Sequence, residues 1–215
     1  MDKNLKDVDI LEYFKKLCLS NIFEKYAVIL HSFWIYNLSD SQISRMNLNP
    51  NEILNAEQEF PEDDYNAVKW IDFYKSKGIN FELKEAIKNS VNWRFPFKQM
   101  NNELYPGQGI IDEATLKILS NTILKKYGNE DIEIYYIFLT IANMEEDRMF
   151  KGKISELSEL LKIEETLNTP SLIYSTEEKW AINSDYDLQF SIIAGEESFI
   201  NALIETCPDQ IYSIG

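Results

Sequence analysis

The chain has 215 residues, 45% of them hydrophobic, 13% aromatic and 27% charged, with only seven glycines and six prolines. That composition belongs to a globular protein and excludes disordered, collagen-like and low-complexity classes. The 36 acidic and 21 basic residues leave a formal net charge of −15, a field that repels nucleic-acid backbones and anionic membranes.

Taken in chain order, Ile10, Phe14 and Leu17, with Leu11 and Cys18 beside them, predict a helix over 9–19. The run 26–35 (Tyr-Ala-Val-Ile-Leu-His-Ser-Phe-Trp-Ile) predicts one buried strand. Asn49-Pro50 opens a short helix, Asn as N-cap and Pro at the first helical position. Residues 63–77 predict a longer helix with Val68, Ile71 and Tyr74 on one face, widened by Trp70 and Phe73 and closed by Gly78. Another helix is expected from Glu82 to Ser90. Residues 92–110 hold two prolines and two glycines, which exclude a continuous helix or central strand. So long an irregular connection marks either function or a lobe boundary.

Asp112 is placed to cap a helix that runs to Tyr127 and is closed by Gly128, with Leu116, Leu119, Ile123 and Tyr127 as its buried stripe. Residues 132–141 read as the central strand. Ser155–Leu161 reads as a short helix and Ser171–Tyr174 as a strand. A hairpin follows, with Trp180 and Ile182 on one arm, Leu188, Phe190 and Ile192 on the other, and Ser184-Asp185-Tyr186-Asp187 as its turn. Gly195 leads into a helix over 196–205. The pattern predicts an α+β fold in a single domain spanning 1–215. Its mixed, mostly antiparallel sheet is flanked by helices and carries a C-terminal β-hairpin followed by a helix. A lobe boundary, if there is one, falls in 92–110. There is no regular βαβ alternation and hence no expectation of a Rossmann fold.

Charge is unevenly spread. Residues 1–128 carry 18 acids and 16 bases, whereas 129–215 carry 18 acids and 5 bases. Such an acidic half would attract a basic protein, although acid excess also simply keeps a protein in solution. Cys18 and Cys207 make no disulfide framework and read as free thiols among apolar neighbours. The charged start, Met1 to Asp7, lacks a signal-peptide core. The longest apolar stretch, Ile134 to Ala142, is far short of the ~20 residues of a membrane span. A cytoplasmic protein without a membrane or nucleic-acid partner is therefore expected. Lysine outnumbers arginine 18 to 3, a bias that fits an AT-rich bacterial genome.

The candidate chemistry is sparse. His31 is the only histidine, and Ser32, its neighbour on an expected strand, points to the opposite face. It therefore reads as a core or strand-edge residue rather than a catalytic base. Gly107-Gln108-Gly109 lacks the remainder of any phosphate-binding pattern and reads as a turn. Asp185 and Asp187, with Glu177 and Glu178 upstream, could ligate a divalent cation, but aspartates also favour turns for local reasons. The run Glu145-Glu146-Asp147-Arg148 reads as a solvated loop. No cofactor motif and no zinc-ligand set is present. Trp93-Arg94-Phe95-Pro96-Phe97, with Tyr105, is the most suggestive stretch, because Trp, Tyr and Arg are the residue types of binding hot spots. Arg94 could clamp a carboxylate or phosphate, or the aromatics could pin an irregular loop to the core with Arg94 in a structural ion pair.

Three stretches resemble an uncharacterised bacterial family, domain-of-unknown-function family 2711 of Bacillus-like species. They are Ala27-Val28-Ile29-Leu30-His31-Ser32-Phe33, with Ser32 where the family pattern has proline; Trp70 to Tyr74 continuing through Gly78-Ile79-Asn80-Phe81-Glu82-Leu83 to Ala86; and Asp185 to Ser191. The resemblance implies a bacterial cytosolic protein and brings no catalytic residues. A strand hairpin, a glycine and a helix in an acidic α+β chain are also similar to bacterial immunity proteins, an analogy of fold alone. Two functions are carried forward. One is a non-enzymatic, immunity-like interaction module whose acidic C-terminal half meets a basic partner. The other is a small-molecule-binding protein or enzyme with a pocket at the Trp93–Arg94 loop. The candidate binding residues are Trp93, Arg94, Tyr105, Asp185 and Asp187.

Overall fold

A computed structural model describes residues 23–36, 65–100, 102–137, 146–162 and 170–214. The expected helices at 9–19 and 49–50, Cys18, Glu145 and the far end of the 132–141 strand lie outside them. The described residues form five α-helices and ten strands in two sheets, an α+β fold in which every strand pairing is antiparallel. The chain divides into two units, residues 1–31 with 108–215, and residues 32–107. One of the two crossings, Gly107–Gln108, falls inside the 92–110 segment. The second unit is thus an insertion in the first.

The first unit is built on seven strands: β1 (Lys25–Leu30), β5 (Asp131–Tyr136), β6 (Arg148–Lys153), β7 (Leu172–Ser175), β8 (Trp180–Ser184), β9 (Phe190–Gly195) and β10 (Ile211–Ile214), in the order β10-β1-β9-β8-β7-β5-β6. Alternation along the strands decides which side chains face the helices. Ala27, Ile29, Ile132, Ile134, Ile173, Trp180, Ile182, Ile193 and Ile211 meet Leu119 and Ile123 of α3 (Glu113–Tyr127) and Phe199, Ile200 and Leu203 of α5 (Glu197–Thr206) in one core. The α3 boundaries follow the sequence closely. Asp112 accepts from the Thr115 N–H at 3.0 Å and from its hydroxyl at 2.8 Å, and Gly128, at φ 81°, ends the helix. A 3₁₀ turn (Ile154–Glu156) precedes the single-turn α4 (Leu157–Leu160), which shortens the helix expected over 155–161. The acidic run was expected to be loop, yet its last residue, Arg148, begins the edge strand β6, where Tyr136 pairs with it. Lysines at positions 151 and 153 give that edge the charge that discourages further pairing.

The second unit holds the three-stranded sheet β3-β2-β4, with β2 (Phe33–Tyr36), β3 (Tyr65–Val68) and β4 (Glu103–Leu104), and the helices α1 (Trp70–Ser76) and α2 (Leu83–Val91). Two sequence expectations are corrected here. The single strand over 26–35 is two strands in different sheets, broken at His31-Ser32. The helix over 63–77 begins only at Trp70, because Tyr65–Val68 pair with Tyr36–Phe33 instead. Cross-strand pairing overrides helical periodicity over those four residues. Aromatic rings make the interior: Phe33 stacks on Phe73 at 4.0 Å and 4°, and Trp70, Phe95 and Phe97 close around it. The largely buried pair Lys77–Glu103, at 2.5 Å, ties the end of α1 to β4, and Glu103 also accepts from the Met100 N–H.

Candidate functional site

The segment after α2 is held from two sides. Helix α1 ends with Gly78 in the left-handed region (φ 69°), its N–H donating to Lys75 and the Ile79 N–H donating to Tyr74, each at 3.0 Å. Helix α2 ends with the same double closure. The Trp93 N–H donates to the Ser90 carbonyl at 2.9 Å and the Arg94 N–H to the Asn89 carbonyl at 2.8 Å. Here the left-handed position (φ 52°) is occupied by Trp93. Glycine takes this conformation freely, and a residue with a Cβ is disfavoured by about 1–2 kcal/mol. The Trp93 side chain is 52% exposed, and among the described residues no aromatic ring stacks on it. Beyond it the chain alternates. Phe95 and Phe97 turn inward onto Phe33 and Phe73, while Arg94, Pro96, Lys98 and Met100 are exposed.

Tyr105, expected alongside Trp93 and Arg94, is instead part of the interior. Its ring stacks on Phe95 at 4.5 Å and 14°, and burial, reinforced by the Glu103 charge, pushes its hydroxyl above the ordinary tyrosine range. The aromatics therefore do pin the loop. Arg94 has no ion-pair partner among the described residues, so its expected structural ion pair is not found there.

Asp185 and Asp187 occupy the loop between β8 and β9, as expected. The Asp187 N–H donates to Asp185 Oδ1 at 2.9 Å and the Leu188 N–H to the Asp185 carbonyl at 3.0 Å, the local bonding of an aspartate turn. Partial desolvation, then the neighbouring Asp185 charge, raises the Asp187 carboxyl above its usual value. Glu177 and Glu178 lie in the β7–β8 turn, at the opposite end of β8, where Glu177 pairs with Lys179 at 2.8 Å. The four carboxylates are not brought together. Among the described residues no group of three His, Cys, Asp or Glu side chains is placed to hold a metal ion.

The fold does assemble one polar cluster that the sequence reading did not anticipate. His31 is fully buried and its Nε2 lies 2.8 Å from Ser191 Oγ, which lies 2.6 Å from Ser184 Oγ. Pairing of Ser184 with Ser191 across β8 and β9, and of Ile29 with Ser191 across β1 and β9, brings the three to one end of the sheet. The same end holds Gln210, whose amide donates to the Leu30 carbonyl at 3.1 Å and to Asp112 Oδ2 at 2.8 Å. The Leu30 N–H donates to Gln210 and the His31 N–H to Gln189, and the Gly109 N–H donates to Leu188. An imidazole against a hydroxyl is the first element of nucleophile activation, but Ser191 is 1% and Ser184 4% exposed. In this geometry the three groups satisfy one another's hydrogen bonding inside the core. The signal for them was present: with Ile182 and Ile193 facing the helices, Ser184 and Ser191 are hydroxyls on a core face.

All five bases of residues 129–215 are engaged by carboxylates of the first unit. Arg148 pairs with Glu146 (2.5 Å), Lys151 with Glu133, Lys153 with Asp131 (2.6 Å), Lys162 with Glu113 (3.8 Å) and Lys179 with both Glu130 (3.3 Å) and Glu177. No helix among the described residues is long and apolar enough to cross a membrane. Compared with known proteins, the chain matches no family model, no curated protein and no solved structure.

Proposed function

We propose that the chain is a non-enzymatic protein-interaction module whose acidic first unit receives a basic partner. The observation that carries this reading is the pairing just described. Every base of residues 129–215 is already matched to a carboxylate, and the same stretch holds 13 more acids than bases. Lys25 and Lys126 also pair with Glu197 and Glu196, yet the acids of the stretch still far outnumber the bases paired with them, and that net negative field favours an external cation. The only histidine, which a histidine-based catalyst would need at a surface, is buried against serines. The resemblance to family 2711 rests on the three stretches quoted above and adds a bacterial setting without an activity.

The test is a tagged pull-down from host lysate at low salt and at about 0.5 M, where the Debye length falls to a few ångströms. The basic protein it retains is then titrated in purified form. A stoichiometric complex at low salt that weakens at least tenfold at high salt is the expected result. A bait that binds nothing at either salt overturns the reading. It would move weight to the small-ligand alternative at Trp93 and Arg94, to be screened by thermal shift with metabolites and divalent cations.

A further inference from the structure

From Ala86 to Asn102 the second unit has no acidic residue and three basic ones, Lys88, Arg94 and Lys98, in a protein where acids outnumber bases 36 to 21. Within that stretch Trp93, Arg94, Pro96, Lys98 and Met100 are all exposed, Trp93 by 52% and Met100 by 50%. Inward stacking of Phe95 and Phe97 fixes the backbone beneath them, so the row is presented without further ordering. Helix α1 closes the same way with glycine. The closure itself therefore does not require an indole at position 93.

We propose that this row is a docking ridge for a partner protein's acidic segment, in which Trp93 anchors a large apolar side chain and Arg94 and Lys98 meet the flanking carboxylates. Trp and Arg are the residue types over-represented among energetic hot spots, and Arg meets a carboxylate with two parallel bonds. The net charge of −15 acts at long range, but at physiological salt screening limits it to about 8 Å. A short segment with a few carboxylates then meets only the local cations. A nucleic acid, with a charge every ~1.7 Å of duplex, calls for a longer run of cations than Arg94 and Lys98 supply. The ridge belongs to residues 32–107 and the acidic surplus to residues 129–215, so the basic-partner reading stands or falls without it.

The experiment is selection of a randomised 12-residue displayed-peptide library on the immobilised full chain, followed by affinity measurement of the enriched peptides. Enriched sequences are expected to combine Asp or Glu with a large apolar residue. Their affinity should fall at least tenfold with Arg94→Glu and with Trp93→Gly, and stay unchanged with Lys117→Glu on the exposed face of α3. Trp93→Gly should also raise the urea midpoint, since glycine fits the left-handed closure. Weakened binding in a more stable protein is a result that a merely structural tryptophan could not give. Enrichment of basic or uncharged peptides, indifference to both ridge substitutions, or a lowered midpoint for Trp93→Gly would each overturn the proposal. Tight Arg94-dependent binding of a (dT)12 oligonucleotide in place of any acidic peptide would do the same.

Discussion

Ser191 stands between His31 and Ser184, so its hydroxyl serves two buried groups at once. Ser191→Ala removes it and leaves both without that partner, which should cost about 1–3 kcal/mol in urea unfolding. A second residue-scale prediction concerns pH. Glu133 accepts from Lys151 and from the Tyr174 hydroxyl, and these bonds hold its carboxyl below the usual range. The contribution is complete above the unfolded-state value of about 4.3 and is lost as pH falls through the lower folded value. The same bond keeps the Tyr174 proton on, pushing its pKa up to about 12. That contribution is complete below the ordinary tyrosine value of about 10 and fades as pH rises from there toward 12. Glu133→Gln should flatten the acid limb of the stability profile, and ultraviolet titration should show one fewer late-titrating tyrosine. An unchanged acid limb would mean that Glu133 ionises alike in the folded and unfolded chain.

At the scale of elements, glycine positions separate tight packing from mere turning. A Cβ at Gly195, the last residue of β9, would sit 2.8 Å from Phe199 Cδ1 and 3.3 Å from the Lys179 carbonyl. Phe199 is fully buried and cannot retreat. Gly195→Ala should therefore cost about 1–3 kcal/mol, and more than Gly152→Ala, whose nearest contact is the flexible Leu160 side-chain end at 2.6 Å. Equal midpoints for the two variants in chemical denaturation would contradict this. The elements also show what a single sequence can reveal. Asp112 and Gly128 bracket α3 because caps are local chemistry, and the β8–β9 hairpin and α5 were legible for the same reason. Strand β3 was missed because Tyr65–Val68 is a strand only by virtue of β2. Strand β6, which carries four polar or glycine residues among six, was missed because an edge strand need not be apolar. Of the site candidates, Asp185 and Asp187 lie in the expected turn, Trp93 and Arg94 at the surface, and Tyr105 within the aromatic interior. Alternation with Ile182 and Ile193 puts the Ser184 and Ser191 hydroxyls on a core face, but the strand pairing that brings His31 to them, and the left-handed backbone of Trp93, depend on three-dimensional placement that no spacing in the sequence encodes.

At the scale of the molecule, the first unit holds both ends of the insertion. The Leu30 carbonyl and the Asp112 carboxylate bind one amide nitrogen of Gln210, and residues 188 and 189 accept from Gly109 and His31. Replacing 32–107 by a short Gly/Ser linker should therefore leave a folded first unit with cooperative unfolding and dispersed amide resonances. Collapsed resonances and non-cooperative melting would show that the first unit depends on the second. The strand order has a different consequence, for birth rather than for structure. Strand β1 lies between β9 and β10, so Leu30 waits for Phe190 and Tyr26 for Ile214. At about 5–20 residues per second, a ribosome takes roughly 8–30 seconds to make the 160 residues between Leu30 and Phe190. Throughout that interval an apolar strand, Tyr-Ala-Val-Ile-Leu, stands without either neighbour, and residues 32–107 are completed before the first of them is made. The nascent chain thus carries an unpaired, aggregation-prone strand until β9 emerges, and it is during that wait that it is most vulnerable to mispairing and most in need of a chaperone.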